Sequence, residues 1–89
     1  MPNPTLHVRI ISPQQLILDT EAQSVSSKNS QGNFDILPLH ANFITVIENS
    51  PIIVRVKDQK SAIFKFPVAI IHVQENKVDI YTYIQPQTV

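Results

Sequence analysis

Cysteine and tryptophan are absent from this 89-residue chain, and glycine occurs once. Without cysteine there are no disulfide staples and no thiolate metal ligands, a composition suited to a reducing compartment. A single glycine, with no Gly-Lys-Ser or Gly-Lys-Thr sequence, excludes a phosphate-cradling loop. Net charge is absent too. Seven basic and seven acidic residues cancel, which leaves no electrostatic footprint for nucleic acid or anionic lipid. No apolar run approaches the roughly 20 residues needed to cross a bilayer. The start, "MPNPTLHVRI", lacks the charged segment and apolar core of a secretory leader. A soluble domain is expected, with no nucleic-acid partner and no direct membrane insertion.

What is present is strand-forming. The chain is 43% hydrophobic, enough for a globular core but in a single domain, 1–89, of thin stability; a domain of this size buries about 60–65% of its unfolded surface. The dominant period is two. Leu6, Val8 and Ile10 alternate with His7 and Arg9; Ile52, Val54 and Val56 with Ile53, Arg55 and Lys57; Val78, Ile80 and Ile84 with Asp79, Tyr81 and Tyr83. Alternation of this kind marks strands with one buried and one wetter face. Turn signals recur at Ser12-Pro13, Asp19-Thr20, Ser26 to Gly32, Asn49 to Pro51, Lys57 to Ser61 and Glu75-Asn76. Short strands between closely spaced turns predict an all-β sandwich or flattened barrel of about 8–10 strands.

Two stretches compete as helix, "QQLILD" and "FITVIEN", but both are brief and the second is rich in β-branched residues, which favours strand. Pro67 and its like are expected at strand starts, edges or bulges. Residues 1–4 and 85–89 read as loose ends. Residues 41–47 are apolar on both faces, with Ala41, Phe43 and Ile47 on one and Ile44 and Val46 on the other. In a two-layer sandwich only one face of each sheet meets the core. Either a neighbouring loop covers the second face or it is exposed as a docking strip.

Catalytic chemistry finds little support. His7, His40 and His72 are far apart, with none of the close spacings that announce a zinc site. There is no Gly-x-Ser-x-Gly elbow, and the serines at 24–30 read as solvated turn residues. Asp19, Glu21 and Glu48 read as turns and rims. Phe34, Phe43, Phe64 and Phe66 read as packing, while Tyr81 and Tyr83 share one outward face and could meet a partner or simply pair across strands. A binding role is therefore expected over an enzymatic one, with no metal and no cofactor.

The stretch "QGNFDILPLHANFITVI" resembles the signature region of the epsilon subunit of bacterial F-type ATP synthase. Gly32, Ile36, Pro38, His40 and Ala41 match its Gly-x-x-x-Ile-x-Pro-x-His-Ala pattern, with Thr45 and Ile47 in register. "LHVRIISPQQLILDTEAQSVSSKNSQG" is similar to that family's opening strands, and "IIHVQENKVDIY" to its closing hairpin. The resemblance implies an N-terminal β-sandwich that docks the gamma subunit onto the ring of c subunits and turns with them in proton-driven ATP synthesis. It implies a non-catalytic subunit, peripheral on the cytoplasmic face of the bacterial inner or plasma membrane. Gln31, Gly32 and Asn33 would approach the c-ring, and Pro38, Leu39, His40, Ala41 and Asn42 would lie in the same partner-facing region. His40 would orient the corner through a hydrogen bond.

Leu39 and Asn42 depart from the family's usual glycine and proline, and Val68 and Ala69 from a glycine pair. No helical segment follows Tyr83, so the C-terminal inhibitory hairpin is expected to be absent, and with it any nucleotide site. Two other readings remain at this stage: a stand-alone β-sandwich binding module for a peptide or sugar, and a small metal enzyme built on the three histidines.

Overall fold

A computed structural model describes residues 4–83. Nine strands and no helix occur among them: β1 (Leu6–Ile11), β2 (Leu16–Ala22), β3 (Ser24–Asn29), β4 (Gly32–Ile36), β5 (Phe43–Glu48), β6 (Pro51–Arg55), β7 (Ala62–Lys65), β8 (Val68–Gln74) and β9 (Lys77–Thr82). They form two sheets, one of five strands in the order β2-β1-β9-β8-β5 and one of four in the order β4-β3-β6-β7. The β-sandwich expected from the two-residue period is the observed fold. Both ambiguous stretches are strands. β-branched side chains lose little freedom on a pleated surface, and two faces of contact outweigh a single helical turn.

Most strands bury one face and leave the other wetter. Leu6, Val8, Ile10, Ile52, Val54, Val78 and Ile80 are fully buried, as alternation required, and Val25, Ile36, Ile47, Ile71 and Val73 complete the core. Phe34, Phe43, Phe64 and Phe66 are half-buried against it. Phe34 meets Phe43 edge to face at 5.8 Å, and Phe64 stacks on Phe66 at 6.2 Å between ring centroids. Neighbouring strands are antiparallel except β1 and β9, which run parallel with Val8 opposite Val78 and Ile10 opposite Ile80. Pro51 opens β6 and Pro67 immediately precedes β8, positions where a missing N–H costs no ladder bond. Glu75 and Asn76, both at positive φ, make the two-residue turn between β8 and β9. Ile84 and residues 85–89, like residues 1–3, lie outside the described residues.

Two expected turns are not turns. Asp19-Thr20 lies inside β2, where Asp19 and Glu21 point outward and engage His7. The serine-rich stretch is mostly strand β3, and only Ser30 and Gln31 turn the chain. Ser24, Ser26 and Ser27 are buried, because their hydroxyls find partners inside the fold. Ser27 Oγ donates to the Pro51 carbonyl at 2.9 Å, Arg55 Nη1 donates to the hydroxyls of Ser24 and Ser26, and Ser26 Oγ donates to Asp35. A satisfied hydroxyl is tolerated in a strand that an unsatisfied one would destabilise.

Candidate functional site: a clamped corner and an exposed strip

Between β4 and β5 the chain turns through residues 37–42. Pro38 fixes φ at the first bend, and the His40 N–H closes the turn on the Leu37 carbonyl at 3.1 Å. The next residue, Leu39, carries φ of 68°. A proline followed by a positive φ, closed by that bond, is a type II turn, whose third position ordinarily belongs to glycine or asparagine. A leucine there costs roughly 1–2 kcal/mol of backbone strain. Its N–H is held by the side-chain oxygen of Asn76 at 2.7 Å, and Asn42 Oδ1 accepts from the Glu75 N–H at 3.3 Å. The corner is thereby bolted to the β8–β9 turn, which in turn accepts the His7 N–H through the Asn76 carbonyl at 2.8 Å. His40 Nδ1 donates to the Ala41 carbonyl at 2.7 Å, and its ring lies 5.0 Å from that of Phe43. That hydrogen bond stays within the corner, to the residue next in the chain. The partners Glu75 and Asn76 were legible only as a hairpin turn; nothing local ties Asn76 to a residue 37 positions away.

Gln31, Gly32 and Asn33 sit at the other end of β4. Asn29 arranges that turn: its Oδ1 accepts from the Gln31 N–H at 2.9 Å and its Nδ2 donates to Thr45 Oγ1 at 3.0 Å. Gly32 has φ of 125°, and a β-carbon placed on it would meet no atom within 4 Å, so the backbone rather than crowding demands glycine. The structure does not bring this turn and residues 38–42 together. The length of a five-residue strand, about 17 Å at 3.3 Å per residue, lies between them.

The outer face of the five-stranded sheet divides in two. One row runs Asp19, Arg9, Asp79, His72, Ile44 across successive strands, and the next runs Ile11, Tyr81, Ile70, Val46. His7 Nε2 lies 2.7 Å from Asp19 and its Nδ1 3.0 Å from Glu21, while Arg9 Nε donates to Asp79 at 3.0 Å. That hydrogen bond, and then the charge of Asp79, hold the Arg9 pKa above its ordinary value. The other part is apolar. Ile44 is 67% exposed and Val46 50% exposed, on the edge strand β5. Tyr81 is exposed on the same sheet, and Tyr83 is exposed just beyond the end of β9. A shallow open groove of about 770 Å³ runs beside β5, with Ile44, Val46 and Ile70 on its apolar side and Lys28, Asn29, Ser30, Thr45, Glu48 and Ser50 on its polar side. Thus, among the described residues, no loop covers the second apolar face of residues 41–47.

Reactive groups are not assembled. His7 and His72 lie on this outer face and His40 lies at the corner; among the described residues no three His, Asp or Glu side chains are placed to hold a metal ion. The arrangement offers a rigid corner, a polar turn and an apolar strip, all suited to contact with another protein.

Comparison with known proteins agrees with the fold. Residues 5–83 match the family of ATP synthase delta/epsilon chain β-sandwich domains. The ATP synthase epsilon chain of Campylobacter concisus is 31% identical over 75 residues, 84% of this chain and 58% of that protein. That of Alkalilimnicola ehrlichii is 32% identical over 76 residues, 85% of this chain and 54% of that protein. The chain therefore spans a little over half the length of these curated relatives. Among solved structures, a chain of the Euglena gracilis mitochondrial ATP synthase superposes with a TM-score of 0.81 at 16% identity, covering 88% of this chain and 50% of that one. A chain of the Tetrahymena thermophila mitochondrial ATP synthase central stalk and c-ring gives 0.75 at 15%, covering 94% and 67%.

Proposed function

Because the chain belongs to the family of ATP synthase delta/epsilon chain β-sandwich domains, we propose that it is a rotor component of the central stalk. In this role it joins the gamma subunit to the c-ring and performs no bond-making chemistry itself. The observation that carries the reading is the uncovered apolar strip of β5, Ile44 and Val46, beside a corner locked by side-chain hydrogen bonds. Exposed apolar strips on a small domain mark contact with other proteins. A rotating coupling piece needs surfaces that do not deform, and corner, hairpin turn and β1 are tied to one another.

The Gln31–Gly32–Asn33 turn faces the c-ring in this reading, and the β5 strip with Pro38, Leu39, His40, Ala41 and Asn42 faces gamma. The two groups lie at opposite ends of β4, which suits a piece held between two partners. Location follows from the complex: peripheral, on the cytoplasmic face of the membrane that houses it. The test is affinity capture of the tagged chain from detergent-solubilised host membranes. Gamma and c subunits are expected in the eluate. Recovery of other proteins or carbohydrate with no ATP synthase subunit would instead assign a free-standing binding module.

A further inference from the structure

We propose that Leu39 is a preformed anchor that seats in an apolar pocket of the gamma subunit. The inference rests on the rotor reading and adds the residue that sets the contact. Five non-glycine residues among those described have positive φ: Leu39, Asn49, Asp58, Glu75 and Asn76. Four are polar residues in turns, where such conformations are met by asparagine, aspartate or a hairpin's geometry. Leu39 is the apolar exception, in the turn position that glycine suits best.

Its side chain does not serve the fold. At 80% exposure it is the most exposed large apolar side chain among the described residues, and its neighbour Leu37 is 55% exposed. Yet the backbone beneath it is immobilised from both sides, by the Asn76 side chain on its N–H and by the Leu37–His40 turn bond. A strained, exposed and rigidly presented leucine contributes nothing to the monomer's stability. Strain retained in this way points to use at a contact. Preorganisation lowers the ordering cost of binding, so a side chain held in place contributes more affinity than a mobile one.

The occupant follows from position. The corner lies at the end of β4 away from the turn assigned to the c-ring, and it leads within two residues of Asn42 to Ile44, the start of the strip assigned to gamma. Leu39 carries no polar side-chain atom, so the pocket that receives it is apolar.

The experiment compares the full chain with Leu39→Gly and Leu39→Met for binding to purified gamma subunit from the same organism, and records the melting temperature of each. Leu39→Gly relaxes the turn, so its melting temperature should equal or exceed that of the wild type. Its affinity for gamma should fall at least about tenfold, the loss typical of a central interface side chain. Leu39→Met, which keeps an apolar side chain of similar volume, should stay within about threefold of wild type. Equal gamma binding by Leu39→Gly, a lowered melting temperature, or a loss confined to c-ring binding would each overturn the anchor alone. Failure of the wild-type chain to bind gamma would overturn the rotor reading together with it.

Discussion

Gly32 and Leu39 put the same backbone demand on opposite kinds of residue. At Gly32 the chain takes φ of 125° and the space around it is empty. Replacing it with alanine therefore creates no clash, only a backbone conformation that L-residues avoid. Gly32→Ala is expected to destabilise the domain by about 1–3 kcal/mol in urea titration, with strand signals in the core unchanged. A loss above that range would mean that the turn has refolded. Sequence alone placed Gly32 at the end of a turn stretch, Ser26 to Gly32, and the structure adds the positive φ. Sequence could not identify Leu39 as its counterpart, since leucine announces apolar contact and not a positive φ. That property appears only when Pro38, the Leu37–His40 bond and Asn76 are seen around it.

At the scale of elements, β5 separates a buried face from an exposed one by alternate residues. Ile47 is fully buried, whereas Ile44 and Val46 face out from the same strand. Ile47→Ala should cost about 2–5 kcal/mol, the range for emptying a packed core site. In a domain of this length, whose whole stability is about 4–13 kcal/mol, that change leaves a fraction of the molecules unfolded at growth temperature. The double variant Ile44→Thr, Val46→Thr keeps β-branched residues on the outer face. It should melt within a few degrees of wild type by circular dichroism while recovering less gamma in the capture experiment. Undiminished recovery would show that the strip faces solvent in the complex. The two faces of β5 were readable from residues 41–47. The strand character of Ser24–Asn29 was not, because hydroxyl-rich segments look like loops until Arg55, Asp35 and the Pro51 carbonyl are found to satisfy them.

The whole molecule is a thin two-layer object held by its apolar core rather than by charge. The Arg9–Asp79 pair and the contacts of His7 with Asp19 and Glu21 are all partly solvent-exposed. Such pairs contribute little to stability and are screened by salt. Raising sodium chloride to about 1 M, where the Debye length is about 3 Å, should therefore shift the melting temperature by no more than a few degrees. Saturating gamma, by contrast, should raise it clearly, since a ligand at about 100 times its Kd adds about 2.7 kcal/mol to the folded state. A strong salt effect with no gamma effect would reverse this account of what stabilises the domain.

Local pattern determined the class of fold, the buried face of most strands and the hairpin turn at Glu75-Asn76. Each of these depends on residues within a few positions of one another, where side-chain alternation and turn chemistry act directly. Tertiary structure decided the parallel pairing of β1 with β9, the placement of β5 beside β8 and the clamp of Asn76 on Leu39. These depend on strand partners tens of residues apart, and a period of two states which face is buried without saying against whom.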